Sequence, residues 1–313
     1  MLNNSDYFNS AEDYLAFYGL ADAAVSYELV PFESGVFELA GHIFIPLETG
    51  RSQRPSPSGV SLTGFRPANY KATVIILHGW LNHTGLLSKL IKHLTGAGYA
   101  VAVYDLPGHG LSSGEPTAID DFSQYSDSLQ CFMKIIKSQL HGPYHVIGHS
   151  TGAAIVMDYL FIGREDCFEK VILVAPLVRS ELWFLSKLGC KIYRPFAKNI
   201  FRLFRNVSSD KEYLRFVRYK DPLQAKKIPL NWVNAMFKWN QKIADAQIIN
   251  RLVAVIQGTN DNIVSWKYNL KFIQSKFGDV QIKLIANGRH ELFNESIVYR
   301  KEVFSQIGDC LEN

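Results

Sequence analysis

The five residues Gly148-His149-Ser150-Thr151-Gly152 restrict the possible folds of this chain more than any other stretch. Ahead of them lies a strand-like run, Tyr144-His145-Val146-Ile147. Behind them comes a helix-like run, Ala153-Ala154-Ile155-Val156-Met157. A chain that passes from strand to helix within five residues must turn sharply. The two flanking glycines remove the Cβ atoms that would strike neighbouring backbone. Such a turn lifts the serine hydroxyl to the edge of a sheet and sets it at a helix N-terminus, where backbone N–H groups and the positive dipole end favour a developing anion. The G-x-S-x-G string is common by itself, so its chemistry depends on partners elsewhere in the chain.

A serine hydroxyl is a weak nucleophile until a base takes its proton, and that base is usually a histidine oriented by a carboxylate. On a strand-to-helix turn the chain order is Ser, then Asp or Glu, then His. Only one histidine follows Ser150, namely His290, in a loop just past the strand-like run 280–285. The acid is expected at the end of a strand between the two. The β-branched apolar run 252–256 reads as a buried parallel strand and leads directly into Asp261. Asp245 precedes that strand and Glu181 lies several residues beyond the previous one, so both are worse placed. An oxyanion needs two donors. The backbone N–H of Thr151 is one candidate. The second is the N–H of Trp80, which follows the strand 73–77 through His78 and Gly79. His78 precedes the serine and is expected to brace its loop.

These strings together resemble the α/β-hydrolase superfamily, and within it the monoacylglycerol lipase/lysophospholipase group. The resemblance rests on Ile75-Ile76-Leu77-His78-Gly79, the run from Tyr104 through Asp105, Pro107, Gly108, His109 and Gly110 to Ser112, and the Ser150 pentapeptide. The runs from Gly258 to Val264 and from Gly288 to Glu295 complete it. They occur in family order over about residues 70–300. Trp80 at the oxyanion position and the segment between Leu177 and Ala244 depart from the pattern. The resemblance implies a mostly parallel eight-stranded sheet with helices on both faces and an inserted helical cap. It implies a serine hydrolase that cleaves the ester of a single-chain lipid through an acyl-enzyme, with His109 structural and no cofactor or metal. A thioesterase or small-ester esterase, or a non-enzymatic ligand receptor that keeps the three residues and turns over slowly, are the alternatives. Epoxide and haloalkane hydrolase chemistry is disfavoured, because the superfamily then uses Asp where Ser150 stands.

The length of 313 residues suits one discontinuous core, residues 1–176 and 246–313, interrupted by a cap at 177–245. Within the core, residues 1–25 read as a helical arm with a sticky face formed by Tyr7, Tyr14, Leu15, Phe17, Tyr18 and Leu20. Residues 26–48 read as a strand pair, and 51–69 as a surface loop. Charge is unevenly spread. Residues 179–242 hold fifteen Lys+Arg against four Asp+Glu, a net of +11, which leaves −7 for the remainder of a chain whose total is +4. Such asymmetry suggests an anionic partner or surface. The run 196–207 places Phe196, Ile200, Leu203, Phe204 and Val207 at helical spacing with Lys198, Arg202 and Arg205 on other faces, so a basic amphipathic helix suited to a membrane surface is expected there. No G-x-G-x-x-G or phosphate loop is present, and basic residues alone do not argue for nucleic acid beside a hydrolase motif set. Four cysteines without metal-ligand spacing and an N-terminus without an apolar leader pattern point to a cytoplasmic setting, with peripheral membrane contact.

Overall fold

The computed structural model describes residues 7–22, 24–47 and 69–313. Eight strands form one sheet: β1 (Val25–Ser34), β2 (Phe37–Pro46), β3 (Thr73–Leu77), β4 (Ala100–Tyr104), β5 (Tyr144–His149) and β6 (Phe168–Val174), joined by β9 (Ile249–Gly258) and β10 (Phe277–Ile285). Two short strands, β7 (Asn199–Phe201) and β8 (Lys227–Pro229), pair separately. The spatial order of the large sheet is β1-β2-β4-β3-β5-β6-β9-β10. The β1–β2 hairpin and the β2–β4 pair are antiparallel, and every pair from β4 to β10 is parallel.

The central strands are apolar on both faces, as parallel strands covered by helices must be. Along β3, Ile75 and Leu77 enter one hydrophobic cluster while Val74 and Ile76 enter the other. The first cluster takes in α3 (Ser123–Gln139), α4 (Thr151–Phe161) and α8 (Trp266–Lys276). The second takes in α1 (Ala11–Phe17), α2 (Ser88–Gly96) and α9 (Ile297–Glu312). Every residue of α4 from Thr151 to Leu160 is buried, so this helix is apolar all round and packs at the centre of the molecule. This is the α/β-hydrolase architecture.

The arm is shorter than its apolar residues suggest. Ser10 caps α1 by accepting from the Asp13 N–H, and the helix ends at Phe17. Tyr14, Leu15, Tyr18 and Leu20 are buried in the core, while Tyr7 and Phe17 are exposed, so most of the sticky face is already occupied by the chain itself. Residues 1–6 and all but Asn69 of the loop read at 51–69 lie outside the described residues.

Between β6 and β9 the chain forms α5 (Trp183–Tyr193), β7, α6 (Lys211–Tyr219), β8 and α7 (Leu230–Ala244). The amphipathic helix expected at 196–207 is absent. Residues 199–201 pair antiparallel with 227–229, the Arg202 N–H donates to the Lys226 carbonyl, and the Leu230 N–H donates to the Lys198 carbonyl. Pairing with a segment almost thirty residues away satisfies the backbone better than a helix that would start just behind Pro195. The amphipathic helix lies earlier, in α5. Trp183 and Cys190 are buried, while Phe184, Leu188 and Ile192, four residues apart, stand exposed beside Lys187 and Lys191. No described helix is long and apolar enough to cross a membrane.

Candidate active site

Four loops meet at the carboxyl ends of the parallel strands. They follow β3, β5, β9 and β10, where open α/β sheets place their ligand crevice. Ser150 sits between β5 and α4 with φ 52° and ψ −111°, a conformation a non-glycine residue adopts only under constraint. The constraint is the close packing of the turn. A Cβ on Gly152 would overlap the backbone carbonyls of Leu77 and His78. The turn is thereby pressed against the end of β3.

The structure brings Ser150, His290 and Asp261 into one line. His290 Nε2 lies 3.0 Å from Ser150 Oγ, and its Nδ1–H donates to Asp261 Oδ2 at 2.8 Å. All three side chains are buried. The Asp261 carboxylate is itself held: its Oδ1 accepts the backbone N–H groups of Ile263 and Val264, and its Oδ2 accepts from Gln257 Nε2. Burial alone would raise the Asp261 pKa, but the His290 charge and these hydrogen bonds outweigh it and hold it below its ordinary value. For His290, burial pulls the pKa down, and the Asp261 charge and hydrogen bond push it further up, so the net shift is upward. Asp245 and Glu181 are both exposed, and neither pairs with His290.

The loop after β3 lies directly against the turn. A Cβ on Gly79 would sit 2.9 Å from His149 Nδ1 and 3.2 Å from Ser150 Cβ, so only glycine permits this approach. Trp80 follows directly, and Thr151 opens α4 on the other side of Ser150. Trp80, Thr151, Ser150 and His290 all line one cavity of about 600 Å³. The Trp80 indole stacks on Trp232 of α7 with ring centroids 3.7 Å apart, and its Nε1–H donates to the Thr117 carbonyl. His78 is fully buried and braces its loop: Nδ1–H donates to the Gly79 carbonyl and Nε2 accepts the Leu106 N–H. Desolvation lowers its pKa to about 4, so it stays neutral. His109 is neutral for the same reason, its pKa lowered to about 3, and it links the Pro107 carbonyl to the Leu81 N–H.

Several site residues escaped the sequence reading. His149, read only as part of the turn, donates from Nε2 to the His290 carbonyl and so clamps the loop that carries His290. Gln257 and the two amides that hold Asp261 carry no motif. Nor does the strap between insertion and base loop, in which the Glu291 N–H donates to the Val207 carbonyl and Arg289 Nη1 to the carbonyls of Asn206 and Ser208. Glu291 could have been noticed as a carboxylate next to His290. Its partners could not, because Asn82 and Tyr213 lie 209 and 78 residues away. Among the described residues, no cluster of His, Cys, Asp and Glu is arranged to hold a metal ion.

The cavity over Ser150 is walled by the elements inserted between β6 and β9. Leu182, Leu185, Leu230, Val233 and Met236 are among the side chains that make its lining largely apolar. The hydrogen-bonded Ser150 hydroxyl and this largely apolar lining therefore belong to one cavity.

Residues 68–297 match the family model described as Hydrolase_4, serine aminopeptidase S33. Among relatives, the chain is 29% identical over 256 residues to a monoglyceride lipase homolog of Monkeypox virus, covering 80% of this chain and 92% of that one. It is 22% identical over 241 residues to the phospholipase YtpA of Bacillus subtilis, covering 74% and 92%. Among solved structures, a soluble variant of monoglyceride lipase from Saccharomyces cerevisiae in complex with a substrate analog superposes with a TM-score of 0.73 at 19% identity. It covers 92% of this chain and 96% of that one.

Proposed function

We propose, for a chain that belongs to the serine aminopeptidase S33 family of α/β-hydrolases, that it cleaves the carboxylic ester of a lipid with a single acyl chain, a monoacylglycerol or a lysophospholipid. The chain is a carboxylic ester hydrolase of the monoacylglycerol lipase-like kind. The finer reading assigns roles to its residues. Ser150 Oγ attacks the ester carbonyl as His290 Nε2 takes its proton. Asp261 keeps the imidazole in the tautomer that presents a bare Nε2 and stabilises the cation that forms. The Trp80 and Thr151 N–H groups receive the oxyanion, each such donor being worth roughly 10²–10³ in rate. His290 then protonates the departing alcohol, leaving an acyl-Ser150 that water, activated by the same histidine, hydrolyses.

The observation that carries this reading is the hydrogen-bonded line Asp261–His290–Ser150 opening into a cavity lined largely by apolar side chains. The inserted elements act as a cap that seats the acyl chain. Their outer face, exposed Phe184, Leu188 and Ile192 with Lys187 and Lys191, supports peripheral contact with an anionic membrane. The test is turnover of the full chain on monoacylglycerols, lysophospholipids and acyl-CoA of graded chain length, with Ser150→Ala beside it. Ester hydrolysis that peaks at long chains and vanishes in the variant supports the reading. Faster cleavage of thioesters, or turnover that survives Ser150→Ala, contradicts it.

A further inference from the structure

The cavity is not wholly apolar. Beside Leu203, Phe204, Leu214 and Val217, the segment after β7 and the helix α6 contribute Arg202, Arg205 and Arg218 to the lining, against one carboxylate, Glu291. Arg202 differs from an ordinary surface arginine. It is partly buried, and burial lowers its pKa from the ordinary guanidinium value. Its Nη1 donates to Gln224 Oε1 at 2.7 Å and to the Ala225 carbonyl at 3.2 Å. Its other donors find no acceptor among the described residues. It forms no ion pair there either. The nearby carboxylates are engaged elsewhere. Glu291 accepts from Asn82 and Tyr213, and Asp221 accepts from Tyr18, His83 and Gln224. Arg202 and Arg218 both pack against the Phe204 ring, at 4.5 and 5.8 Å from its centroid, so one aromatic side chain orders two of the three cations.

Position decides what this charge can read. His290 must reach the oxygen of the departing alcohol, and Glu291 follows it directly in the chain. The basic segment is joined to that end: Val207, two residues from Arg205, accepts the Glu291 N–H. The Arg205 charge acts on His290 and the Glu291 charge on Arg202, so the arginines lie toward the end of the cavity where the alcohol fragment departs. Among the alcohols that single-chain lipids release, the anion available is a phosphate, whose several oxygens suit guanidinium groups.

Resting on the serine hydrolase reading above, we infer that the alcohol fragment of the preferred substrate carries a phosphate. The enzyme is therefore selective for lysophospholipids over neutral monoacylglycerols, with Arg202 as the main anchor and Arg205 and Arg218 beside it. An unpaired, partly desolvated guanidinium gains a strong charge-assisted bond from such a group and gains little from a neutral glycerol.

The experiment measures kcat/KM of the full chain on matched short-chain lipids held below their micellar concentration, so that no surface is present. The panel is a monoacylglycerol, a lysophosphatidic acid and a lysophosphatidylglycerol. We expect the phosphate-bearing lipids to be favoured by about tenfold or more. Arg202→Gln should shrink that ratio by about tenfold or more, and Arg202→Lys should restore part of it. The ratio is taken within one preparation, so a variant that folds poorly still reports selectivity. Three results overturn the inference: a wild-type preference for the monoacylglycerol, a ratio unchanged in Arg202→Gln, or a preference that appears only when anionic vesicles are added, which would mean that the arginines read a surface. In each of these the serine hydrolase reading survives. That reading falls separately if none of the three lipids is cleaved.

Discussion

Ser150 holds a positive φ that few non-glycine residues tolerate, at a cost of roughly 1–3 kcal/mol that the packing around Gly148 and Gly152 must offset. The strain aims Oγ at His290, and the account assigns catalysis to that aim. Asp261→Asn should leave the packing intact but favour the wrong imidazole tautomer, and turnover should fall by roughly 10⁴, going by the serine protease precedent. The same substitution should move the pH profile. Catalysis needs neutral His290, and the Asp261 charge raises its pKa, so kcat/KM on a soluble ester should rise with pH through a midpoint above the ordinary histidine value. Removing that charge should lower the midpoint, and an unmoved midpoint would place the controlling carboxylate elsewhere. Stability runs the opposite way. The His290–Asp261 pair contributes fully between the ordinary carboxylate and histidine pKa values, fades as pH rises through the raised His290 value, and is lost in acid as pH falls through the lowered Asp261 value. Gly79→Ala tests the second oxyanion donor. Its methyl would press on His149 and Ser150, displacing the Trp80 N–H, and kcat should drop by roughly 10²–10³ while Ser150 still reacts with a small phosphonate.

At the scale of elements, what could be read from the sequence follows from how local the cause is. The strands ending at Leu77, His149 and Gly258 announce themselves as apolar runs stopped by glycine or polar loops, so Trp80, Ser150 and Asp261 fall at strand ends without any knowledge of the partners. His290 follows from chain order alone. The run 196–207 misled because its apolar spacing fits a helix as well as a strand, and the deciding hydrogen bonds come from residues 226–230. The Glu291–Tyr213 and Arg202–Gln224 contacts are invisible for the same reason: each joins segments that nothing local brings together. The relocated amphipathic helix makes its own prediction. Replacing Phe184, Leu188 and Ile192 of α5 with serine should weaken binding to anionic liposomes. High salt should weaken it too, because each basic side chain near such a surface is worth about 1 kcal/mol, screened within about 8 Å. Hydrolysis of a short soluble ester should persist. Vesicle binding unaffected by the triple substitution would remove α5 as the contact surface.

Across the whole molecule, the insertion shares the core's apolar packing, with Trp232, Met236 and Trp239 of α7 in the same cluster as α3 and α4, and buried polar contacts tie the two together beside it. The Tyr18 hydroxyl, at the end of the N-terminal arm, donates to Asp221 at 2.8 Å, just past α6, and His83 meets the same carboxylate at 3.0 Å. Burial raises the Tyr18 pKa and the neighbouring Asp221 charge raises it further, so the phenol stays a donor. Tyr18→Phe should cost about 1–3 kcal/mol in denaturant unfolding, since it removes a buried bond to a charged acceptor. A loss below a few tenths would show that the arm does not secure the insertion. The positive charge of residues 179–242, the apolar outer stripe of α5 and the arginines that line the cavity all belong to the insertion, so the proposed division of labour leaves the chemistry to the core and lipid recognition to the insertion.

All of this depends on Ser150 being the nucleophile, and one measurement addresses that directly. The full chain is treated with a fluorophosphonate, digested, and the adduct located by mass spectrometry. The account predicts a single stoichiometric adduct on Ser150, lost in Ser150→Ala and strongly slowed in His290→Ala. Stoichiometric modification of a different serine, or undiminished labelling of the Ser150→Ala chain, would contradict it.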